Sequence, residues 1–189
     1  QSGVPAIHYV SPSIWAWRAH RVHTIRRSAD HVLCLFPFEP ALLEQHGIAA
    51  TYVGHPLANV FPMEPDKKAA RQQLQLQLPQ DVAVLAVLPG SRDSEIAYLT
   101  PRFLETVRLL RQRRPELHTV LPAAPGYFAR LRSLVQAAGL EQVITVLDGQ
   151  SHAALTACDV TLIASGTATL EAALLKCPMV ISYAMHPLS

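Results

Sequence analysis

Two short stretches carry residue types that could do chemistry. The first is Ser165-Gly166-Thr167-Ala168-Thr169-Leu170-Glu171. An apolar run, Val160 to Ala164, precedes it and reads as a buried strand; Ala172 to Lys176 follows and reads as a helix. A strand-to-helix turn of small, hydroxyl-bearing residues presents free backbone N–H groups beside a helix N-terminus, and both favour phosphate. Glu171 lies about one helical turn further in, with the length to reach past a phosphate. The second stretch is Pro89-Gly90-Ser91-Arg92, after the strongest apolar run of the chain, Val82 to Leu88. Its glycine lets backbone approach a ligand, its serine adds a hydroxyl, and its guanidinium can make two parallel bonds to a diphosphate. A carboxylate suits a ribose because it accepts from both vicinal hydroxyls. Gly90, Ser91, Arg92, Ser165, Gly166, Thr167, Thr169 and Glu171 therefore form a coherent set for a UDP-like group.

Other chemistries find less support. The chain has no GxxxxGK[ST] and no GxGxxG after a first strand, so ATP hydrolysis and dinucleotide binding lack a motif. His20 and His23 have metal-pair spacing but no third ligand at a clear interval, so no metal and no cofactor is expected. Cys34, Cys158 and Cys177 are widely separated and odd in number, which points to buried thiols in a reducing compartment. Lys and Arg number 16 against 14 Asp and Glu, a net charge of +2, without the basic stripe of a nucleic-acid binder. Half of the 189 residues are hydrophobic, enough for a packed core. No apolar run reaches the roughly 18 residues of a membrane-spanning helix. The chain opens on Gln1 and closes soon after an apolar strand, and it is read as an internal fragment.

The elements that must position these residues alternate. Strands are expected at Ile7–Val10, His31–Phe36 and Thr51–Val53, with a helix from Ile14 to Ser28 capped by Ser13 and a second from Phe38 to His46 ending at Gly47. On the first helix Ile14, Trp15, Val22 and Ile25 share a face, with Arg18 in its middle. Two roles fit Arg18, a snorkelling or paired side chain and an anion contact. Glu39 and Glu44 read as solvated. Prolines at 56, 62 and 65 mark a domain connection, giving residues 1–58 and 59–189 as two domains. Beyond it, Asp66 caps a helix to about Leu76; strands follow at 82–88, 119–121, 143–147, 160–164 and 179–183. Helices are expected from Thr100-Pro101 to Pro115, with Phe103, Leu104, Val107 and Leu110 inward, at 127–138 and at 151–158. This order argues for parallel βαβ units, whose right-handed crossovers place both chemical stretches at one edge of a sheet.

Several stretches resemble the lipid-A-disaccharide synthase family. They are Tyr9-Val10-Ser11-Pro12-Ser13-Ile14-Trp15-Ala16-Trp17-Arg18, Pro37-Phe38-Glu39, Gly54-His55-Pro56-Leu57-Ala58, Leu88 to Arg92, Leu147-Asp148-Gly149, and Ala164 to Glu171 with Lys176-Cys177-Pro178-Met179-Val180. The resemblance spans essentially the whole chain. It implies an α/β fold of GT-B type, two Rossmann-like parallel-sheet domains, both incomplete here: an acceptor-side domain and a donor domain. It implies transfer of 2,3-diacylglucosamine from its UDP form to 2,3-diacylglucosamine 1-phosphate (lipid X), releasing UDP with inversion and without a metal. Arg92 is then the leaving-group stabiliser, and Ser11, Ser13, Arg18 and His55 are acceptor-side candidates. A peripheral enzyme on the cytoplasmic face of the inner membrane is implied, with the catalytic aspartate upstream of Gln1 and further nucleotide contacts beyond Ser189, so that this chain by itself is expected to be inactive. The alternatives are a UDP-N-acetylglucosamine 2-epimerase or another UDP-sugar enzyme of the same fold, and a catalytically silent UDP-sugar-binding module.

Overall fold

The computed structural model describes residues 3–15, 20–79 and 81–184. The chain divides into two compact units, Gln1–Val60 and Phe61–Ser189. In the first, β1 (Ile7–Tyr9), β2 (His31–Cys34) and β3 (Ala50–Tyr52) form a parallel sheet in the order β1-β2-β3. Helices α1 (Arg21–Ser28) and α2 (Glu39–Glu44) complete it, and a 3-10 turn at Pro56–Asn59 ends it. Val22 and Ile25 of α1 pack with Val32, Cys34, Leu43, Ile48 and Ile14. Of the helix expected from Ile14, the described residues show Arg21–Ser28, with His20 as its N-cap; Ile14 and Trp15 form a turn, and Ser13 is exposed. Arg18 lies outside the described residues. Glu39 is not solvated: it is buried, and its carboxylate accepts from the Leu35 and Phe36 N–H groups at 3.1 and 3.0 Å. Those amides leave the end of β2 with no further strand partner, and the side chain supplies their acceptor.

The second unit is a five-stranded parallel sheet in the order β6-β5-β4-β7-β8. Its strands are β4 (Val84–Leu88), β5 (His118–Ala123), β6 (Ile144–Asp148), β7 (Val160–Ala164) and β8 (Met179–Ser182). Every residue of β4 is buried. Leu85 and Val87 face the layer of α4 (Asp93–Arg113) and α5 (Phe128–Ala137), while Val84, Ala86 and Leu88 face that of α3 (Lys67–Gln73), α6 (Ser151–Ala157) and α7 (Ala168–Leu174). The pleat sends alternate side chains to opposite faces, so a strand covered on both sides must be apolar throughout. Cys158 and Cys177, nineteen residues apart, meet in the second layer with sulfurs 3.2 Å apart, and both are free thiols. Their hydrogen bond, followed by burial, pushes the Cys158 thiol far above its ordinary range.

Helix α4 begins at Asp93 rather than Thr100, and Pro101 lies inside it. Arg92 is its extended N-cap, Asp93 and Glu95 place negative charge in the first turn, and the Ile96 N–H closes on the Arg92 carbonyl at 2.9 Å. An interior proline removes one ladder bond and costs about 3 kcal/mol. Ile96, Leu99, Phe103, Leu104 and Val107 are all at most 4% exposed, and burying each such side chain contributes about 1.5–3 kcal/mol, so packing carries the helix through Pro101. Thr100, expected as a cap, is instead buried, and its hydroxyl has no partner among the described residues. Leu110, expected inward, is 38% exposed.

At the amino-terminal edge of this sheet Asp159 ties three segments together. Its carboxylate meets Lys67 Nζ at 2.7 Å, Arg71 at 3.0 Å and the Val84 N–H at 2.7 Å. Partial burial opposes ionisation, but those hydrogen bonds and the two cations outweigh it and hold the pKa below the ordinary aspartate range. The unfolded chain then binds a proton more readily than the folded one. The contribution to stability is complete above about pH 3.9, the unfolded value, and is lost as pH falls through the folded value. Urea unfolding across pH 2–6 should show this acid slope, and Asp159→Asn should flatten it.

Candidate functional site

The carboxyl ends of β4 and β7 are neighbours: Leu88 pairs with Ile163 in a parallel ladder. From β4 the chain proceeds to β5 and β6 on one side, then crosses to β7 and β8 on the other. The point between β4 and β7 is thus where the winding reverses, and open α/β sheets bind ligands in the crevice there. A cavity of about 530 Å³ occupies this place. Gly90, Ser91, Arg92 and Glu95 line it after β4, Ala124 and Pro125 after β5, Gly149 and Ser151 after β6, and Ser165, Gly166, Thr167 and Glu171 after β7. The two stretches singled out by their chemistry meet in one cavity.

The turn after β7 leaves polar groups open. Among the described residues, the Gly166 and Thr167 N–H groups have no hydrogen-bond acceptor. Thr169 is placed differently from its neighbours. Its hydroxyl donates to the Gly166 carbonyl at 2.6 Å, bracing the turn, and it does not line the cavity. Glu171 lines the cavity, and its carboxylate Oε2 lies 3.2 Å from His152 Nε2.

The turn after β4 holds a residue that the sequence reading missed. Glu95 Oε2 accepts from the Ser91 N–H at 2.9 Å, and Oε1 takes Arg92 Nη1 at 2.6 Å. Burial opposes its ionisation, but the Ser91 amide and the Arg92 side chain and amide outweigh it, so Glu95 stays ionised below the ordinary glutamate range. Gly90 has φ +121°, and a Cβ there would meet the Glu95 side chain at 2.5 Å. The absence of a side chain at Gly90 makes room for Glu95. The signal was present: a glutamate three residues past a helix N-cap reaches back to the turn before it. Arg92 is 77% exposed and engages one of its five N–H donors with Glu95, leaving its other face for an anion.

The remaining candidates sit in the first unit. Ser11 is buried and its hydroxyl donates to the Pro12 carbonyl at 3.2 Å. Val10 before it has φ +74°, strained backbone for a β-branched residue, at the carboxyl end of β1. His55 Nδ1 accepts from the Leu57 N–H at 3.2 Å and its ring lies 5.9 Å from that of Phe36. Phe36 stacks on Phe38, and Trp15 meets Phe38 edge-on, so Trp15, 51% exposed, belongs to a surface aromatic group rather than to the core.

The family model for lipid-A-disaccharide synthetase matches residues 2–189. The chain belongs to the lipid-A-disaccharide synthetase family. Members from Verminephrobacter eiseniae and Albidiferax ferrireducens, each named lipid-A-disaccharide synthase, are 62% and 58% identical over 188 and 187 residues. Those alignments cover 100% and 99% of the chain and 48% of either relative, so the chain spans about half the length of the curated synthases it matches. Among solved structures, a glycosyltransferase from Rickettsia africae superposes with a TM-score of 0.52 at 13% identity, covering 93% of this chain and 50% of that one. The wall teichoic acid polymerase TagF (H444N variant) gives 0.52 at 13% identity over 85% of this chain and 41% of its own. At such identity the likeness speaks for fold: two Rossmann-like parallel-sheet units of the GT-B type.

Proposed function

We propose that the second unit binds the UDP portion of a UDP-sugar donor, and that the chain is the part of a glycosyltransferase that does so. The observation that carries this reading is the meeting of Arg92 with the Ser165–Glu171 turn in one cavity at the winding reversal, in a chain of this family. Arg92 binds the diphosphate, the Gly166 and Thr167 amides and the Ser91 hydroxyl take phosphate oxygens, and Glu171 accepts from the ribose hydroxyls. With no metal in this scheme, Arg92 neutralises the charge that develops on the departing UDP. The reaction is transfer of 2,3-diacylglucosamine from its UDP form to lipid X. Residues 59–189 form the donor domain and residues 1–58 the acceptor side, where Ser11, Ser13, Arg18 and His55 contact lipid X. Among the described residues no helix is long and apolar enough to cross a membrane. The acylated substrates call for peripheral contact with the inner membrane's cytoplasmic face.

The test has two arms. Calorimetric titration of the chain with UDP should show saturable binding that Glu171→Ala weakens. A synthase carrying this chain, given UDP-2,3-diacylglucosamine and lipid X, should release UDP and form the disaccharide 1-phosphate. Epimerisation of UDP-N-acetylglucosamine without transfer would replace this reading by a sugar epimerase.

A further inference from the structure

Glu171 is reached from behind by a side chain that does not line the cavity. His152, in the first turn of α6, brings Nε2 to 3.2 Å from Glu171 Oε2, and the two side chains are 47% and 23% exposed. The imidazole is itself held: the Phe61 ring meets it edge-on, with centroids 4.6 Å apart and planes at 81°. Phe61 opens the second unit, directly after the 3-10 turn that closes the first. Two residues on, the Met63 carbonyl accepts from Lys176 Nζ, just past the end of α7. The segment entering the unit is therefore fastened to both α6 and α7, the helices that bear His152 and Glu171.

We propose that His152 is the positioning residue for ribose recognition, holding one Glu171 oxygen so that the other is presented to the sugar hydroxyls. The inference rests on the UDP reading of the cavity. A free glutamate has three side-chain torsions to fix on binding, and each ordered rotamer subtracts from affinity. A partner that fixes the carboxylate beforehand lowers that cost, and it does so for ribose hydroxyls only. The nearest ring to His152 is Phe61, which constrains the imidazole without competing for Glu171. Glu171 thus acts on the ligand, and His152 acts through Glu171.

The experiment compares UDP, 2′,3′-dideoxy-UDP and inorganic pyrophosphate as ligands of the 189-residue chain by calorimetry. The unsubstituted chain should prefer UDP over the dideoxy compound. His152→Ala should weaken UDP about tenfold, within the range of one contact to a charged group, and leave the dideoxy compound and pyrophosphate unchanged. His152→Gln, whose amide can donate to the same oxygen, should recover part of the preference. In a Glu171→Ala background, His152→Ala should have no further effect, because both act through one contact. Equal weakening of all three ligands, or an unchanged preference in His152→Ala when Glu171→Ala has abolished it, overturns the positioning role. Absence of UDP binding by the unsubstituted chain, or an unchanged preference in Glu171→Ala, overturns the UDP reading itself and this inference with it.

Discussion

Alanine at position 92 is expected to weaken UDP binding by the chain about tenfold to a hundredfold, and to lower turnover about a hundredfold or more in a synthase that carries it. The binding figure is that of a charge-assisted hydrogen bond, about 1.5–3 kcal/mol. The larger effect on turnover follows because charge builds on the departing diphosphate in the transition state, and a donor aimed at developing charge contributes about 2.7–4 kcal/mol. Folding should be nearly untouched. Arg92 is 77% exposed, and Glu95, although only 12% exposed, keeps its bond from the Ser91 amide when the guanidinium is removed. Urea midpoints of the two chains should agree while the calorimetric affinities separate. Equal affinities would remove Arg92 from the diphosphate site. Arg92→Lys is expected to recover only part of the loss, because an ammonium is a point charge and cannot make two parallel bonds to one phosphate group.

Gly90→Ala carries the largest expected cost to stability, about 2–6 kcal/mol. Two penalties combine. A φ of +121° is one that side-chain-bearing residues rarely adopt, and holding a residue in such a region costs about 1–3 kcal/mol. The new methyl group would also meet the Glu95 side chain at 2.5 Å, and overpacking costs about 1–3 kcal/mol. Relief of the clash requires Glu95 to move, which breaks its bonds to the Ser91 amide and to Arg92. Chemical denaturation measures the loss, and removal of the obstructing side chain separates the two penalties. Gly90→Ala with Glu95→Gly, which removes the Glu95 Cβ as well as its carboxylate, should be less destabilised than the sum of the single changes. Strict additivity would show that Glu95 does not fill the space above Gly90.

Much of this molecule is legible in the chain because its local rules agree. Strand β4 announces itself as an unbroken apolar run, and β7 as one interrupted only by Thr161, whose hydroxyl donates to the Ala86 carbonyl at 3.1 Å; each is covered by helices. Asp66 caps α3 through the Ala69 N–H at 2.9 Å, a local bond between neighbours in sequence. Where a local rule lost, a longer-range contact outweighed it. Thr100-Pro101 has the pattern of a helix start, but burial of Ile96 and Leu99 extends α4 back to Asp93. Glu39 has the composition of a solvated helix position, but the two amides at the end of β2 draw its carboxylate inward.

The residue types of the site were therefore set by the sequence alone: small residues and hydroxyls at the turn after β7, a glycine and a guanidinium after β4, and the order of strands and helices that puts both turns on one edge. Which strands lie side by side was decided by the tertiary structure. Parallel pairing joins β4 to β7 across an insertion of two strands and three helices, and no local propensity encodes that choice. The tertiary structure alone also gave each polar group its partner: Glu95 beneath Gly90 and beside Arg92, and His152 behind Glu171. A side chain's type states what it can bond; only packing states which neighbour is within 3 Å or so of it. The turn from Ser165 to Glu171 was readable as a candidate site, but the neighbour of its carboxylate was not.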